Sequence, residues 1–197
     1  WFLGIIIGAT VLITMTLVNH HYYPDTLTAL RYASFEVVSF ITSTGYGTVD
    51  YSMWPTFLPL FLILISFAGG CAGSTAGGMK IVRVMFIWKG IAREMTRINH
   101  PTAMIKLKHN RTIVEDTTAN TILAFMFFYA LTALIFTLLL MACGLDMISA
   151  FGAVAASLNV SGPGLGEVVS SFASVSDGAK WLSSLAMVIG RLEIFTL

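Results

Sequence analysis

Apolar residues run without a charge from Trp1 to Val18, and again over the 23 residues from Thr121 to Cys143. A helix rises 1.5 Å per residue, so the first run reaches about 27 Å, close to a hydrocarbon core of about 30 Å. Both runs predict membrane-spanning helices. Asn19-His20-His21-Tyr22-Tyr23-Pro24-Asp25 follows the first as a polar, aromatic-rich exit of the kind expected at a membrane interface. Asp25-Thr26 is then placed to cap a shorter helix to about Ile41, too polar, with Arg31 and Glu36, to lie comfortably against lipid.

Thr42-Ser43-Thr44-Gly45-Tyr46-Gly47-Thr48 carries too many glycines and β-branched residues to continue that helix. After Trp54-Pro55 the chain is apolar through Phe67, meets Gly69 to Gly78, and resumes from Met79 to Trp88. One unbroken helix over Trp54 to Trp88 would be about 52 Å long, so a break at the glycines is the economical reading. Beyond the second long run the earlier pattern returns. Asp146 is a candidate cap, a short helix reaches about Leu158, Asn159-Val160-Ser161-Gly162-Pro163-Gly164-Leu165-Gly166 interrupts it, and a last span starts at Trp181.

The pattern is therefore two copies of one unit: a span, a short helix that dips in, a glycine-rich loop and a second span. Eight of the 11 basic residues (Lys80, Arg83, Lys89, Arg93, Arg97, Lys106, Lys108, Arg111) fall between them, which predicts a cytoplasmic segment from 80 to 111. Both glycine loops then lie on the opposite side, as expected of parallel repeats about an axis along the membrane normal. The expected fold is an all-α integral membrane protein. Its units are a pore repeat over 1–98 with a broken inner helix, a basic linker over 99–111, and a second pore repeat over 112–197.

Composition agrees. The chain has 197 residues, 56% hydrophobic and 11% charged, against about a quarter charged in a soluble domain, which excludes a soluble enzyme. It begins at Trp1 and stops at Leu197 within an apolar run, and reads as a segment of a longer polypeptide. Cys71 and Cys143 lie in apolar or small-residue stretches and are expected to be buried free thiols.

Non-helical backbone at membrane depth requires surrounding protein or a water-filled path. A row of backbone carbonyls can replace the hydration shell of a monovalent cation, and glycine permits the dihedrals that align them. Short helices ending at such loops point partially negative C-termini at the cavity, which favours a cation without any acidic ring. Blander readings stand beside this one. Gly45 and Gly47 suit a tight turn, and the glycines from 69 to 78 suit a helix-packing face, although five in ten residues favours a loop. Gly73 to Lys80 lacks the Gly-Lys-Ser/Thr ending of a phosphate loop. Asn159-Val160-Ser161 matches a glycosylation sequon but falls inside the second loop. His20-His21 has no third metal ligand nearby. Arg31 and Glu36 suit ordinary buried pairs or outward snorkelling.

Thr44-Gly45-Tyr46-Gly47 is close to the potassium-channel filter signature. With Ser43 and Thr48, the later Ser161-Gly162-Pro163-Gly164-Leu165-Gly166 and the Gly69 to Gly78 interruption, the chain resembles the third and fourth of four repeats in the Trk/Ktr/HKT superfamily, the membrane subunits of potassium uptake systems. The resemblance covers essentially the whole chain. It implies potassium as the transported ion, with no cofactor and no enzyme activity. The filter would be formed by Ser43, Thr44, Gly45 and Tyr46 with Val160, Ser161, Gly162 and Pro163. It further implies an intramembrane gate including Gly69, Gly70, Gly73, Ser74, Thr75, Gly77 and Gly78, faced by Arg191 in the last span. Its implied partners are lipid, two N-terminal repeats of the same polypeptide, a second copy in a homodimer, and a cytoplasmic nucleotide-binding regulatory subunit touching Lys106, Lys108 and Arg111. The implied location is the bacterial inner membrane. Rival readings are a potassium channel proper, with identical repeats and unbroken inner helices, and the potassium-binding subunit of an ATP-driven pump.

Overall fold

A computed structural model describes residues 2–55, 57–71, 74, 76–99, 108–109, 112–113, 116–169 and 171–192. Among the described residues, seven helices carry the architecture: α1 (Phe2–Asn19), α2 (Thr26–Ile41), α3 (Leu58–Ala68), α4 (Ile81–Asn99), α5 (Asp116–Ala142), α6 (Met147–Leu158) and α7 (Asp177–Leu192). Single 3-10 turns at Tyr51–Met53 and Gly166–Val168 follow the two glycine loops. The basic linker contributes one small element that hydropathy did not signal, an antiparallel ladder pairing Lys108 with Ile113 and His109 with Thr112.

Helices α1 and α5 are long and apolar enough to cross a membrane. Leu3, Ile7 and Met15 on α1, and Leu123, Phe127, Phe128, Leu134 and Leu138 on α5, are exposed, which suits a hydrocarbon solvent. The short helices differ. Nine of the twelve residues of α6 are buried, most of them Ala, Ser or Gly, and small side chains let neighbouring backbones approach closely where apolar solvent offers no hydrophobic drive. Ala29 and Ala33 are likewise fully buried on α2, which packs against α1 and α3.

Two apolar clusters result. Ile13, Leu17, Val37, Phe40, Leu58 and Leu62 centre the first, and Phe125, Leu140, Val154, Leu158, Ala179 and Ala186 the second. Phe67 packs against both, stacking on Phe151 and meeting Tyr129 edge-on. The Arg83 guanidinium lies 4.0 Å from the centre of the Phe125 ring and ties α4 to α5.

Most helix boundaries expected from sequence hold within a few residues, but α4 runs on to Asn99, eleven residues past the expected end at Trp88, because its amphipathic continuation carries charged residues that the apolar run did not include; the helix starts differ as well. Asp146 caps α6, accepting from the Ile148 amide at 3.3 Å, and the Ser149 hydroxyl holds its carboxyl below the usual carboxylate range. Asp25 occupies the same position before α2 but makes no side-chain capping bond. The last helix begins at Asp177, four residues ahead of Trp181, because Asp177 favours the first turn and pairs with Lys180 at 3.2 Å. Both cysteines are free, but the expectation that they are buried fails: Cys71 is exposed on the 69–78 loop and Cys143 is half-buried.

Candidate ion-filter site

Helices α2 and α6 end in the same way. Thr42 and Asn159 are their C-caps, and each is followed by a non-glycine residue in the left-handed region, Ser43 at φ +55° and Val160 at φ +51°. One residue further on, the Thr44 amide donates to Ser39 O at 3.0 Å and the Ser161 amide to Ala156 O at 3.1 Å, the six-residue closure of a Schellman turn. Gly45 (φ +79°) and Gly162 (φ +90°) come next. A β-branched residue at positive φ, as at Val160, is a genuine outlier, held only where its surroundings over-determine it.

The two loops meet. A Cβ at Gly45 would stand 2.7 Å from Ser161 O, and one at Gly162 would stand 3.4 Å from the Gly45 Cα. Together they line a cavity of about 700 Å³ with Thr48, Asp50, Tyr51, Pro163 and Ser171. Among the described residues, no hydrogen-bond donor reaches the carbonyl oxygens of Ser43, Thr44, Gly45, Val160, Ser161, Gly162 or Pro163. The Tyr46 carbonyl is different: it accepts the Ser39 hydroxyl at 2.6 Å and so turns back to α2, while its ring is exposed.

Side chains behind the loops pin them. Glu36 is fully buried, and one of its oxygens accepts from the Thr48 amide at 2.8 Å and the Thr48 hydroxyl at 3.2 Å. Arg31 is exposed beside Tyr32, as the snorkelling alternative expected, while Glu36 is buried on Thr48, so the two do not form a buried pair with each other. The buried Tyr51 hydroxyl donates to the Gly164 carbonyl and clamps the first loop's exit to the second loop. Tyr51 is absent from the residues the sequence singles out, and Asn159 figures there only as the start of the second loop and in a sequon. A lone Tyr after a loop carries no spacing signal, whereas Asn at a helix C-terminus is a recognisable cap.

Away from the two glycine loops, α3 stops at Gly69, whose φ of +63° and ψ of −171° suit glycine alone. The chain returns to seal the neck of the loop, with the Met79 amide on Phe67 O at 3.0 Å and the Ile81 amide on Gly70 O at 3.2 Å. A Cβ at Gly77 would fall 2.1 Å from Asn159 O, and one at Gly190 equally close to Leu158 O. The loop and α7 therefore both press on the end of α6, and Arg191 follows the α7 contact. Gly69, Gly70, Ser74, Gly77 and Gly78 belong to this loop; Gly73 and Thr75 lie outside the described residues, as do Lys106 and Arg111. His20 and His21 are exposed, and among the described residues no group of three metal-ligating side chains gathers.

The TrkH profile, described as cation transport protein, matches residues 3–197. The chain is 44% identical over 183 residues to the Trk system potassium uptake protein TrkH of Vibrio parahaemolyticus, covering 93% of this chain and 38% of that protein. It is 40% identical to the TrkH of Salmonella typhimurium, covering 100% of this chain and 41% of the relative. The Trk system potassium uptake protein TrkG of Escherichia coli is 37% identical over 99% of this chain and 40% of its own length. The crystal structure of the potassium transporter TrkH from Vibrio parahaemolyticus superposes with a TM-score of 0.93 at 42% identity, over 99% of this chain and 42% of that one. The chain thus spans about two fifths of the length of the curated relatives it matches. Seven helices, two apposed glycine loops and a matched profile over nearly every residue place it among membrane transporters: the chain belongs to the TrkH family of cation transport proteins.

Proposed function

We propose that this chain forms part of a potassium uptake pore in which backbone carbonyls of Ser43, Thr44 and Gly45, with those of Val160, Ser161, Gly162 and Pro163, strip and replace the hydration of the ion. Tyr46 completes the first loop through its backbone, its own carbonyl being held by Ser39. One observation carries the reading: two apposed glycine loops present carbonyls with no protein donor among the described residues. Such oxygens are costly to leave unmet unless water or a cation meets them. The names of the relatives, potassium uptake proteins, support the choice of ion.

The like endings of α2 and α6 support a pore repeat over 1–98 and another over 112–197, joined by the cytoplasmic linker. The loop from Gly69 to Gly78 acts as the gate, with Arg191 raising the barrier to cations in its closed position. Two further repeats of the same polypeptide complete the ring in a bacterial inner membrane. A second copy and a cytoplasmic nucleotide-binding subunit are the partners. For them α4 offers an exposed apolar row, Trp88, Ile91, Met95 and Ile98, beside the basic Arg97.

The test is cation flux into liposomes by the full-length parent, comparing potassium, rubidium, sodium and lithium, with Gly45→Ser as the paired variant. A Cβ at φ +79°, 2.7 Å from Ser161 O, must displace one loop. Left-handed backbone costs a non-glycine residue about 1–2 kcal/mol, so the preference for potassium over sodium is expected to fall roughly tenfold. Flux indifferent to both ion and variant would refute the filter.

A further inference from the structure

Asn159 is fully buried at the junction of three elements. The Tyr129 hydroxyl of α5 donates to its amide oxygen, and its amide nitrogen donates to Ser66 Oγ at 2.8 Å. Ser66 uses its own proton on Ile63 O at 2.7 Å, so its oxygen can only accept from Asn159. That fixes the orientation of the amide. Ser66 stands at the neck of the 69–78 loop: its carbonyl accepts the Gly69 amide at 3.1 Å and lies 3.0 Å from where a Gly78 Cβ would be. The Asn159 carbonyl is covered by Gly77 of the same loop. The next residue is Val160, at φ +51°.

We propose that Asn159 is a positioning residue through which the intramembrane loop sets the geometry of the second filter loop. The proposal rests on the filter reading above. Val160 persists in its unfavourable backbone conformation only while its neighbours hold it, and the Asn159 amide anchors the peptide that enters it. When the loop shifts at Gly77 or Ser66, that anchor loosens and Val160 relaxes, so gate and filter change together. A rigid filter above an independent gate would need no such bridge.

The experiment uses the full-length parent in liposomes and reads the ratio of potassium to sodium flux, which is independent of the amount of active protein. Ser66→Ala and Tyr129→Phe are conservative, and neither lies in the filter loops. Each is expected to lower the ratio by roughly 2- to 30-fold, the span of typical coupling between packed sites. In an Asn159→Ala background, Ser66→Ala is expected to add nothing. A ratio unchanged in both single variants, with selective wild-type flux, overturns the inference and leaves the filter reading standing. So does an equal effect of Ser66→Ala with and without Asn159, and so does lowered thermal stability at an unchanged ratio. Wild-type flux without ionic preference overturns the filter reading itself.

Discussion

Tyr51→Phe removes a single oxygen from the clamp between the two loops. The ring is 3% exposed and meets Phe40 edge-on, with centroids 5.0 Å apart; phenylalanine keeps both the burial and that contact. What disappears is the donor to the Gly164 carbonyl. Leaving a buried acceptor unpaired costs about 1–3 kcal/mol. The adjoining cavity, which Tyr51 itself lines, lets water reach the freed carbonyl, and this favours the lower end. Each kcal/mol shifts the unfolding midpoint of a soluble domain of this chain's size by about 2–4 °C, and proportionally less in the longer full-length parent, so a drop of about 1–2 °C is expected for that protein in detergent. The second consequence follows from the proposed pore. Gly164 follows Gly162 and Pro163 directly, so a freed Gly164 loosens the register of the second loop and lowers the potassium-to-sodium flux ratio by several-fold, on the order of tenfold per 1.4 kcal/mol transmitted. A variant with the wild-type midpoint and the wild-type ratio would refute the idea that this hydroxyl holds the loops together.

Two further substitutions test the backbone and the carboxylate behind the first loop. Val160→Gly is expected to match or exceed Val160→Ala in thermal midpoint, because glycine relieves a left-handed cost of about 1–2 kcal/mol that alanine retains; the reverse order, measured by thermal unfolding, would mean that Val160 is not strained. Glu36→Gln keeps an acceptor for the Thr48 amide and is expected to stay within about 1 kcal/mol of wild type, whereas Glu36→Ala orphans that amide at about 1–3 kcal/mol and also lowers ion selectivity. Equal midpoints for the two variants would show that Thr48 does not depend on this bond.

Much of the fold was legible because membrane solvent imposes simple rules on a sequence. Charge-free runs announced α1 and α5. Glycine density at 45–47 and 69–78 announced non-helical backbone, and φ is +79° at Gly45 and +63° at Gly69. These are local properties, set by propensity and hydropathy within a few residues. The basic linker's small ladder was not legible, since two-residue strands leave no periodicity. Nor was the exposure of Cys71, which depends on what packs over the loop.

What tertiary structure alone decided is which groups meet. Glu36 turned to Thr48 rather than to Arg31, Tyr51 reached Gly164 across 113 residues of sequence, and Asn159 bridged Ser66 and Tyr129. The sequence by itself determined two apolar spans, two short helices and the glycine loops that follow them, because backbone conformation and transfer to lipid are paid residue by residue. The apposition of Gly45 with Ser161, and of Gly77 with Asn159, follows from close packing of whole elements. Hydrogen bonds and carbonyl orientation in a low-dielectric interior depend on tenths of an ångström in that packing, and no pattern along the chain encodes them.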